Sequence, residues 1–250
     1  MTDLHHLRIL VTRPYPQGEK LCEEIARRGG EPIYLPTIAF APPPHDIKPA
    51  LQTLHQHEWL IFISPQSVYA LTSIMQLPTN VKLAAVGKGT ADALHQAGFE
   101  NIIYPDTFNS EALLDLPVFQ NVSGKKIAII RGAGGREYID KTLAERGAII
   151  SPVIVYKRIV PDVDVTDCLQ RLEQHAIDMI VCTSFESVQN LKILLGDAAW
   201  KYLPDIPLIV MSERIKRLAE DSGFRRIWVT RHVSDKALLD VMAEIKEKAS

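Results

Sequence analysis

Apolar residues along this chain occur in short runs of mostly β-branched side chains, and longer amphipathic stretches separate the runs. Seven runs are predicted to be strands, at residues 8–12, 59–63, 83–86, 126–130, 179–183, 208–211 and 227–230. Runs this short and continuously apolar are typical of parallel strands covered on both faces. Residues 17–28 show helical spacing at Leu21, Ile25 and Arg28, and two glycines follow them, which predicts a helix. The pattern predicts an α/β protein.

The order of motifs in the first half of the chain returns in the second half. Arg13 with residues 28–29 matches Arg131 with 146–147, 62–68 matches 182–188, 97–99 matches 222–224, and 112–115 matches 237–240, at offsets of 118 to 125. Four blocks in the same order indicate a duplicated strand–helix unit. Two copies predict two lobes, because a solenoid needs more than two repeats.

Two proline-marked segments are predicted to be the crossings between the lobes. The first covers residues 36–44, and the second follows residues 153–156 and ends near Pro161. Proline fixes the φ angle and keeps such segments extended. Paired crossings predict a hinge about which the lobes move, with a cleft beside it where a ligand would bind.

Composition and charge exclude several classes of protein. The 250 residues and the 46% hydrophobic fraction suffice for two domains that each have a core. A net charge of −2 without a long basic run argues against nucleic-acid binding. No apolar stretch approaches the roughly 18 residues that span a membrane, and the polar N-terminus does not read as a signal peptide. Three scattered cysteines, Cys22, Cys168 and Cys182, indicate reduced thiols in the cytoplasm.

The sequence offers no signature of a metal or nucleotide site. The eight histidines have no metal-binding spacing, and no carboxylate pair stands out. The glycine-rich run at residues 132–136 follows a strand but matches neither dinucleotide-binding nor P-loop patterns. Two interpretations stay open for this run: a tight turn, or a backbone nest whose amides bind a carboxylate. We expect no cofactor and no metal.

Polar residues stand where predicted strands end and helices begin. Ser64 and Ser184 occupy equivalent places in the repeat, and both are expected to cap a helix. Gly87, with Thr90 behind it, and Ser212 occupy a further pair of equivalent turns. Besides capping, such hydroxyls and free amides can bind carboxylates, so both interpretations stay open. Neither Ser64 nor Ser184 lies in a nucleophile elbow, so nucleophilic catalysis is not expected.

Three longer side chains are further candidates for a ligand site. Arg13 and Arg131 are equivalent in the repeat and each stands at a strand end, so they are candidates for a positive cleft. The alternative is an ordinary surface ion pair. Tyr156 ends the apolar strand at the second crossing, and although most such tyrosines only pack a ring, its place at the hinge makes it a candidate.

Taken together, these motifs resemble those of the uroporphyrinogen-III synthase family. The similar segments are residues 11–14, 64–68, 85–91, 131–136, 153–156 and 183–184, within a resemblance that spans residues 7–242. The resemblance implies two similar α/β domains, each a parallel sheet flanked by helices, joined by a two-stranded linker with a cleft between them. It implies a discontinuous domain of residues 1–35 plus 160–250 and a second domain of residues 36–159, so that each domain combines pieces of both repeats.

The resemblance also implies an activity. Members are cofactor-independent lyases that take the linear tetrapyrrole hydroxymethylbilane, remove its hydroxyl as water, and close the ring with inversion of ring D to give uroporphyrinogen III. Tyr156 matches the family's tyrosine and would donate the proton for the loss of water, because a phenol with an ordinary pKa of about 10 keeps its proton at neutral pH. The eight carboxylates of the substrate would be bound by Arg13, Ser64, Gly87, Thr90, Arg131, Ser184 and Ser212.

Two other functions are weighed against this one. A two-lobed cytoplasmic binding protein or sensor would close on a small anion without catalysis. A nucleotide-sugar transferase would need a diphosphate-binding set or an acidic metal motif, which the sequence lacks. We expect a cytoplasmic monomer with a small-molecule substrate and without nucleic-acid or membrane partners. Transient contact with the preceding synthase would help to transfer an unstable substrate.

Overall fold

The computed structural model describes residues 3–107 and 109–249. Over these residues the strands are β1 (Arg8–Val11), β2 (Glu31–Tyr34), β3 (Ala39–Ala41), β4 (Trp59–Phe62), β5 (Lys82–Ala85), β6 (Lys126–Gly132), β7 (Ile149–Ile159), β8 (Met179–Val181), β9 (Leu208–Val210) and β10 (Ile227–Val229). The strands predicted from the seven apolar runs are confirmed to within two residues at each end.

Helices follow most of these strands. They are α1 (Gln17–Arg27), α2 (Lys48–Gln52), α3 (Pro65–Thr72), α4 (Lys88–Gln96), α5 (Ser110–Asp115), α6 (Tyr138–Glu145), α7 (Thr166–Glu173), α8 (Phe185–Trp200), α9 (Glu213–Asp221) and α10 (Asp235–Ala249). The helix predicted at residues 17–28 is confirmed as α1, which buries Leu21 and Ile25. It ends before Gly29, whose φ of +83° is readily adopted only by glycine.

The chain divides into two compact units. Unit 1 comprises Met1–Ala39 and Ile159–Ser250, and unit 2 comprises Phe40–Arg158. The chain leaves unit 1 at β3 and returns to it at the end of β7, and these two strands are neighbours in one sheet. The boundaries expected from the resemblance, after residues 35 and 159, lie a few residues from these divisions.

Each unit is built on one five-stranded sheet. In unit 1 the strand order is β10-β9-β8-β1-β2, and every neighbouring pair is parallel. In unit 2 the order is β3-β7-β6-β4-β5, and the four strands from β7 to β5 are parallel. Parallel strands end at the same edge of a sheet, so each unit gathers the turns after its strands at one carboxyl edge.

Both faces of each sheet are covered by apolar side chains. Along β1, Leu10 belongs to the hydrophobic cluster on one face, whereas Ile9 and Val11 belong to the cluster on the other. In β4, Leu60 and Ile61 divide between two clusters in the same way. This double coverage explains why the strands read as continuous apolar runs without alternation.

Each unit contains strands from both copies of the repeat. Strands β1 and β6 are equivalent in the repeat, as are β4 and β8, and β5 and β9. Unit 1 places β1 in one sheet with β8 and β9, whereas unit 2 places β6 in one sheet with β4 and β5. The prediction of two similar α/β domains is confirmed, and each unit combines strands from both copies.

Candidate active site

Ser64 caps helix α3 at the carboxyl edge of unit 2. Its hydroxyl oxygen accepts a hydrogen bond from the amide of Ser67 at 3.2 Å. The hydroxyl of Ser67 accepts from the amide of Ser64 at 3.2 Å and donates to the carbonyl of Ser64 at 2.6 Å, which completes a capping box. The positive end of the helix dipole therefore lies at Ser64.

A β-bulge in β7 determines where Tyr156 points. Strand β6 pairs Arg131 with Ile154 but pairs Gly132 with Tyr156, so β7 contains one extra residue at this place. Because of this residue, Tyr156 lies in the same hydrophobic cluster as its neighbour Val155, although consecutive strand residues ordinarily face opposite sides. The bulge thus turns the Tyr156 ring towards the side of the sheet that Val155 faces.

Three groups surround the Tyr156 side chain, which is 5% exposed. Its hydroxyl lies 3.1 Å from the Ser64 hydroxyl. Phe40 packs against the ring edge-on, with ring centroids 5.3 Å apart. The ring also lies directly on Gly132, where a Cβ atom would come within 2.5 Å of two ring carbons. The structure therefore brings two of the predicted site residues, Ser64 and Tyr156, into hydrogen-bond contact.

The Arg131 side chain forms hydrogen bonds and an ion pair within unit 2. One terminal nitrogen of its guanidinium donates to Asp140 at 3.0 Å, and the other donates to the carbonyl of Gly134 at 3.0 Å. The carbonyl of Gly135 lies 3.4 Å from the second nitrogen. Gly134 and Gly135 have φ angles of +74° and +93°, so this loop requires glycine. Arg131 holds the glycine-rich loop, and its contact with substrate stays a prediction.

The turn after β5 carries Gly87 and Thr90. Gly87 is the N-cap of α4 in an extended conformation, and its carbonyl accepts from the amide of Thr90 at 3.0 Å. Thr90 is buried in the first turn of this helix. Both residues therefore lie at the carboxyl edge that also carries Ser64.

Unit 1 has its own set of strand-end turns. Ser184 caps α8 by accepting from the amide of Ser187 at 3.1 Å, and the two serine hydroxyls are 2.8 Å apart. Ser212 caps α9 by accepting from the amide of Ile215 at 3.3 Å. Capping, one of the two interpretations drawn from the sequence, is confirmed for both residues. Their binding of carboxylates stays a prediction.

Arg13 lies beyond the end of β1 in the same unit and forms an ion pair with Asp235. Asp235 is the first residue of α10, where a carboxylate also faces the positive end of a helix. A further buried hydroxyl, that of Thr230 just beyond β10, has no hydrogen-bond partner. The carboxyl edge of unit 1 thus combines a paired arginine with an unpaired buried hydroxyl.

The described residues offer no metal site and no membrane span. Over residues 3–107 and 109–249, no group of three or more His, Cys, Asp or Glu side chains is arranged to hold a metal ion. Within this same part of the chain, every helix is too short or too polar to cross a bilayer.

Comparison with known proteins identifies the family. The family described as "Uroporphyrinogen-III synthase HemD" matches residues 19–240 of the chain. The chain belongs to the uroporphyrinogen-III synthase family. The uroporphyrinogen-III synthase of Escherichia coli (strain K12) is 34% identical over 244 residues, which cover 93% of this chain and 98% of that protein. That of Synechococcus elongatus is 29% identical over 198 residues, covering 75% of this chain and 74% of its own length.

Solved structures of uroporphyrinogen-III synthases share the fold. The chain resembles the enzyme from Helicobacter pylori 26695 with a TM-score of 0.63 at 15% identity, over 96% of this chain and 99% of that one. It resembles a mutant of the enzyme from the extremely thermophilic bacterium Thermus thermophilus with a TM-score of 0.58 at 16% identity, over 97% and 98% of the two chains. The family resemblance found in the sequence is confirmed, and the alternative of a binding protein or sensor is not supported.

Several residues around the site were not predicted from the sequence. Phe40 stands in the first proline-marked segment, where nothing indicates that it would pack on Tyr156. Asp140 follows Arg131 by nine residues at the start of a helix, which is a weak signal for an ion pair. Ser67 had a stronger signal, because its spacing of three residues from Ser64 is that of a capping box.

Proposed function

We propose that this protein converts hydroxymethylbilane to uroporphyrinogen III, with loss of water and inversion of ring D. The observation that carries the proposal is that residues 19–240 match the uroporphyrinogen-III synthase family. The contact between Tyr156 and Ser64 supports it, because it holds an acid-capable hydroxyl in one position at a sheet edge. A reaction that must favour one ring closure over another depends on such fixed positions.

In the proposed reaction Tyr156 is the proton donor. Its phenolic proton passes to the hydroxyl oxygen of the substrate, and the carbon–oxygen bond breaks with its electron pair on oxygen, so that water leaves. The lone pair of the adjacent pyrrole nitrogen forms the new double bond, which gives a cationic azafulvenium for the ring-closing step and leaves the phenolate of Tyr156. Ring closure releases a proton, which restores the phenol, so the net change is the loss of one water molecule.

The remaining predicted residues are proposed to bind substrate carboxylates. Gly87 is the N-cap of α4 and Thr90 lies in its first turn. Ser184 and Ser212 are the N-caps of α8 and α9, where free amides and the helix dipole favour anions. Arg13 and Arg131 add positive charge near these turns in their respective units, although each already pairs with a carboxylate. Both units carry such turns at the carboxyl edges of their sheets.

We further propose a cytoplasmic monomer that works without cofactor or metal. The three cysteines are free, which suits a reducing compartment. Transient contact with the synthase that supplies hydroxymethylbilane would limit spontaneous closure of this unstable substrate.

The direct test supplies the purified protein with freshly generated hydroxymethylbilane and separates the product isomers. We expect the inverted isomer, and we expect turnover to survive exhaustive chelation and dialysis. Formation of only the uninverted isomer, at the spontaneous rate, would contradict the proposed activity. Activity lost on chelation and restored by a divalent ion would contradict the proposed independence from metal.

The role of Tyr156 is tested by Tyr156→Phe, which deletes the hydroxyl and keeps the ring on Gly132 and against Phe40. We expect kcat to fall about 100-fold, the range of a positioned general acid. The KM should change little, and the uninverted isomer should accumulate as spontaneous closure overtakes the enzyme.

Tyr34→Phe is the matched control in unit 1. The Tyr34 hydroxyl is buried without a hydrogen-bond partner, and burial raises its pKa to about 12. Removing it should leave kcat and folding unchanged, because no hydrogen bond is lost. If Tyr156→Phe is folded and as fast as wild type, Tyr156 only packs its ring and the proton comes from elsewhere.

A further inference from the structure

The Ser64–Tyr156 contact suggests a role for Ser64 different from the carboxylate binding predicted for it. We infer that Ser64 is a positioning residue that acts through Tyr156, by donating a hydrogen bond to the phenolate that Tyr156 becomes after it gives up its proton. The inference rests on the proposed function, because it concerns the step in which Tyr156 acts as an acid.

The capping box leaves the hydroxyl proton of Ser64 available for this bond. Ser67 uses its own hydroxyl proton on the Ser64 carbonyl at 2.6 Å. Within the cap the Ser64 oxygen accepts an amide hydrogen from Ser67, at 3.2 Å, so the cap does not use the proton of Ser64. The Tyr156 oxygen lies 3.1 Å away, within hydrogen-bond distance of this proton.

The equivalent serine in the repeat is arranged differently. Ser184 also caps its helix through the amide of Ser187, at 3.1 Å. Its hydroxyl, however, lies 2.8 Å from the Ser187 hydroxyl, and either oxygen could donate in that pair. In unit 2 the corresponding hydroxyl of Ser67 turns to a backbone carbonyl instead. Each serine accepts from the corresponding amide of its own helix. Of the two serines, Ser64 alone contacts the hydroxyl of the tyrosine that is proposed to donate the proton.

Two features of the α3 cap strengthen a hydrogen bond from Ser64 to Tyr156 as negative charge develops on the Tyr156 oxygen. The dipole of α3 places partial positive charge at Ser64, and the Ser67 amide polarises the Ser64 hydroxyl so that it donates more strongly. Before proton transfer the Tyr156 hydroxyl can donate to Ser64 or to a ligand, and afterwards Ser64 can donate to Tyr156. Only hydroxyl protons need to rotate, because Gly132 and Phe40 hold the ring in place.

The proton balance is unchanged by Ser64. The Tyr156 proton moves to the departing oxygen of the substrate, and Ser64 keeps its own proton while hydrogen-bonding to the negative oxygen that remains. A hydrogen bond to a charged oxygen is stronger than one to a neutral oxygen, so the contact gains strength as charge develops. It should therefore affect kcat and leave substrate binding nearly unchanged.

A double-mutant cycle tests the inference, with Ser64→Ala, Tyr156→Phe and the double variant assayed on hydroxymethylbilane. We expect Ser64→Ala alone to lower kcat about tenfold, as for one hydrogen bond to a charged group, with KM within about twofold of wild type. In the Tyr156→Phe background the same change should alter kcat by less than about twofold, because there is no phenolate left to stabilise.

Three further variants separate this role from helix capping. Ser64→Gly keeps most of the capping stability, since glycine is a tolerated N-cap and alanine is a poor one, but it lacks the hydroxyl. It should therefore show the same fall in kcat as Ser64→Ala, and Ser64→Thr should restore part of the rate. Ser184→Ala removes the matched cap of unit 1, and its effect should be the same with and without the Tyr156 hydroxyl. Thermal unfolding followed by circular dichroism would confirm that each variant is folded at the assay temperature.

The outcomes distinguish the inference from the proposed function. A slow Tyr156→Phe combined with an equal effect of Ser64→Ala in both backgrounds would overturn the inference alone. So would a raised KM with unchanged kcat for Ser64→Ala and Ser64→Gly, which would instead assign Ser64 to carboxylate binding. A Tyr156→Phe variant as fast as wild type would overturn both the inference and the proposed role of Tyr156.

Discussion

At the scale of single residues, Arg131 is both a structural residue of unit 2 and a predicted binding residue for a substrate carboxylate. Its guanidinium bonds Asp140 and the carbonyls of the glycine-rich loop, and its side chain is only 10% exposed. The sequence identified this arginine as an anion-binding candidate from its place in the repeat. It could not identify the partner, because pairing with Asp140 depends on how α6 packs beside β6.

We predict that Arg131→Ala lowers the stability of unit 2. The change leaves the Asp140 carboxylate, 14% exposed, without its partner, which should cost about 3 kcal/mol. Asp140→Asn should cost a similar amount, because it leaves the arginine charge unpaired. The free energy of unfolding of both variants, measured by urea denaturation, tests this prediction.

The kinetics of the same pair separate structure from binding. If Arg131 also contacts a carboxylate of the substrate, Arg131→Ala should raise KM beyond the rise seen for Asp140→Asn. Equal KM values in the two variants would assign Arg131 to the loop alone. An Arg131→Ala variant as stable as wild type would contradict the structural role.

At the scale of elements, the strands were predicted better than their irregularities. Apolar runs locate the central strands because both faces of each sheet are buried. The short β2 and β3 escape this pattern, since Pro32 interrupts the first and the second contains no β-branched residue. The bulge in β7 was also not predicted, because an extra residue changes the direction of Tyr156 without changing the apolar run. The sequence therefore located Tyr156 on the correct strand but gave neither its direction nor its neighbour Ser64.

The junction between β1 and β8 provides a prediction at this scale. Arg8 begins β1, and its backbone amide and guanidinium donate to the Asp178 carboxylate at 2.7 to 2.9 Å. Burial alone would raise the pKa of Asp178, but the hydrogen bonds and the charge of Arg8 outweigh it and hold the pKa below 3.8. A lowered pKa stabilises the fold above the unfolded-state value, and this stability is lost as pH falls through the folded-state value.

We therefore predict that Asp178→Asn destabilises unit 1 by roughly 2 kcal/mol at neutral pH. The difference from wild type should shrink as pH falls below about 3.8, because Asp178 is then protonated in the unfolded chain while the folded form resists protonation. Urea unfolding between pH 3 and 7 measures it. Glu244→Gln, which breaks an exposed ion pair within α10, is the control and should have little effect. A constant difference across this pH range would show that the charge of Asp178 is not the cause.

At the scale of the whole molecule, the sequence shows the repeat. The spacing of the repeated blocks does not show that each unit combines strands from both copies. Matching blocks establish two copies, yet they do not say whether β1 pairs with a strand of its own copy or of the other. The pairing of β1 with β8 joins residues about 170 positions apart, such as Ile9 and Met179. Such pairings follow from the packing of whole sheets, and the family resemblance supplied this part of the prediction.

The distribution of cysteines gives a prediction for the whole chain, because all three lie in unit 1. Burial raises the pKa of Cys182 to about 12 and that of Cys168 to about 11. Since the thiolate is the reactive form, both should react very slowly with iodoacetamide at pH 7.5 while unit 1 is folded.

Cys22 is only partly buried, so we expect it to be modified first, although burial also raises its pKa to about 11. In increasing urea, modification of Cys168 and Cys182 should begin together when unit 1 unfolds, which peptide mass mapping would follow. The raised values also predict that unit 1 loses stability as pH rises from about 9 towards 12, because the unfolded thiols ionise first. Cys182 is buried directly after the end of β8. If it were modified in the absence of urea at the rate of a free thiol, this burial and the packing of unit 1 around it would be contradicted.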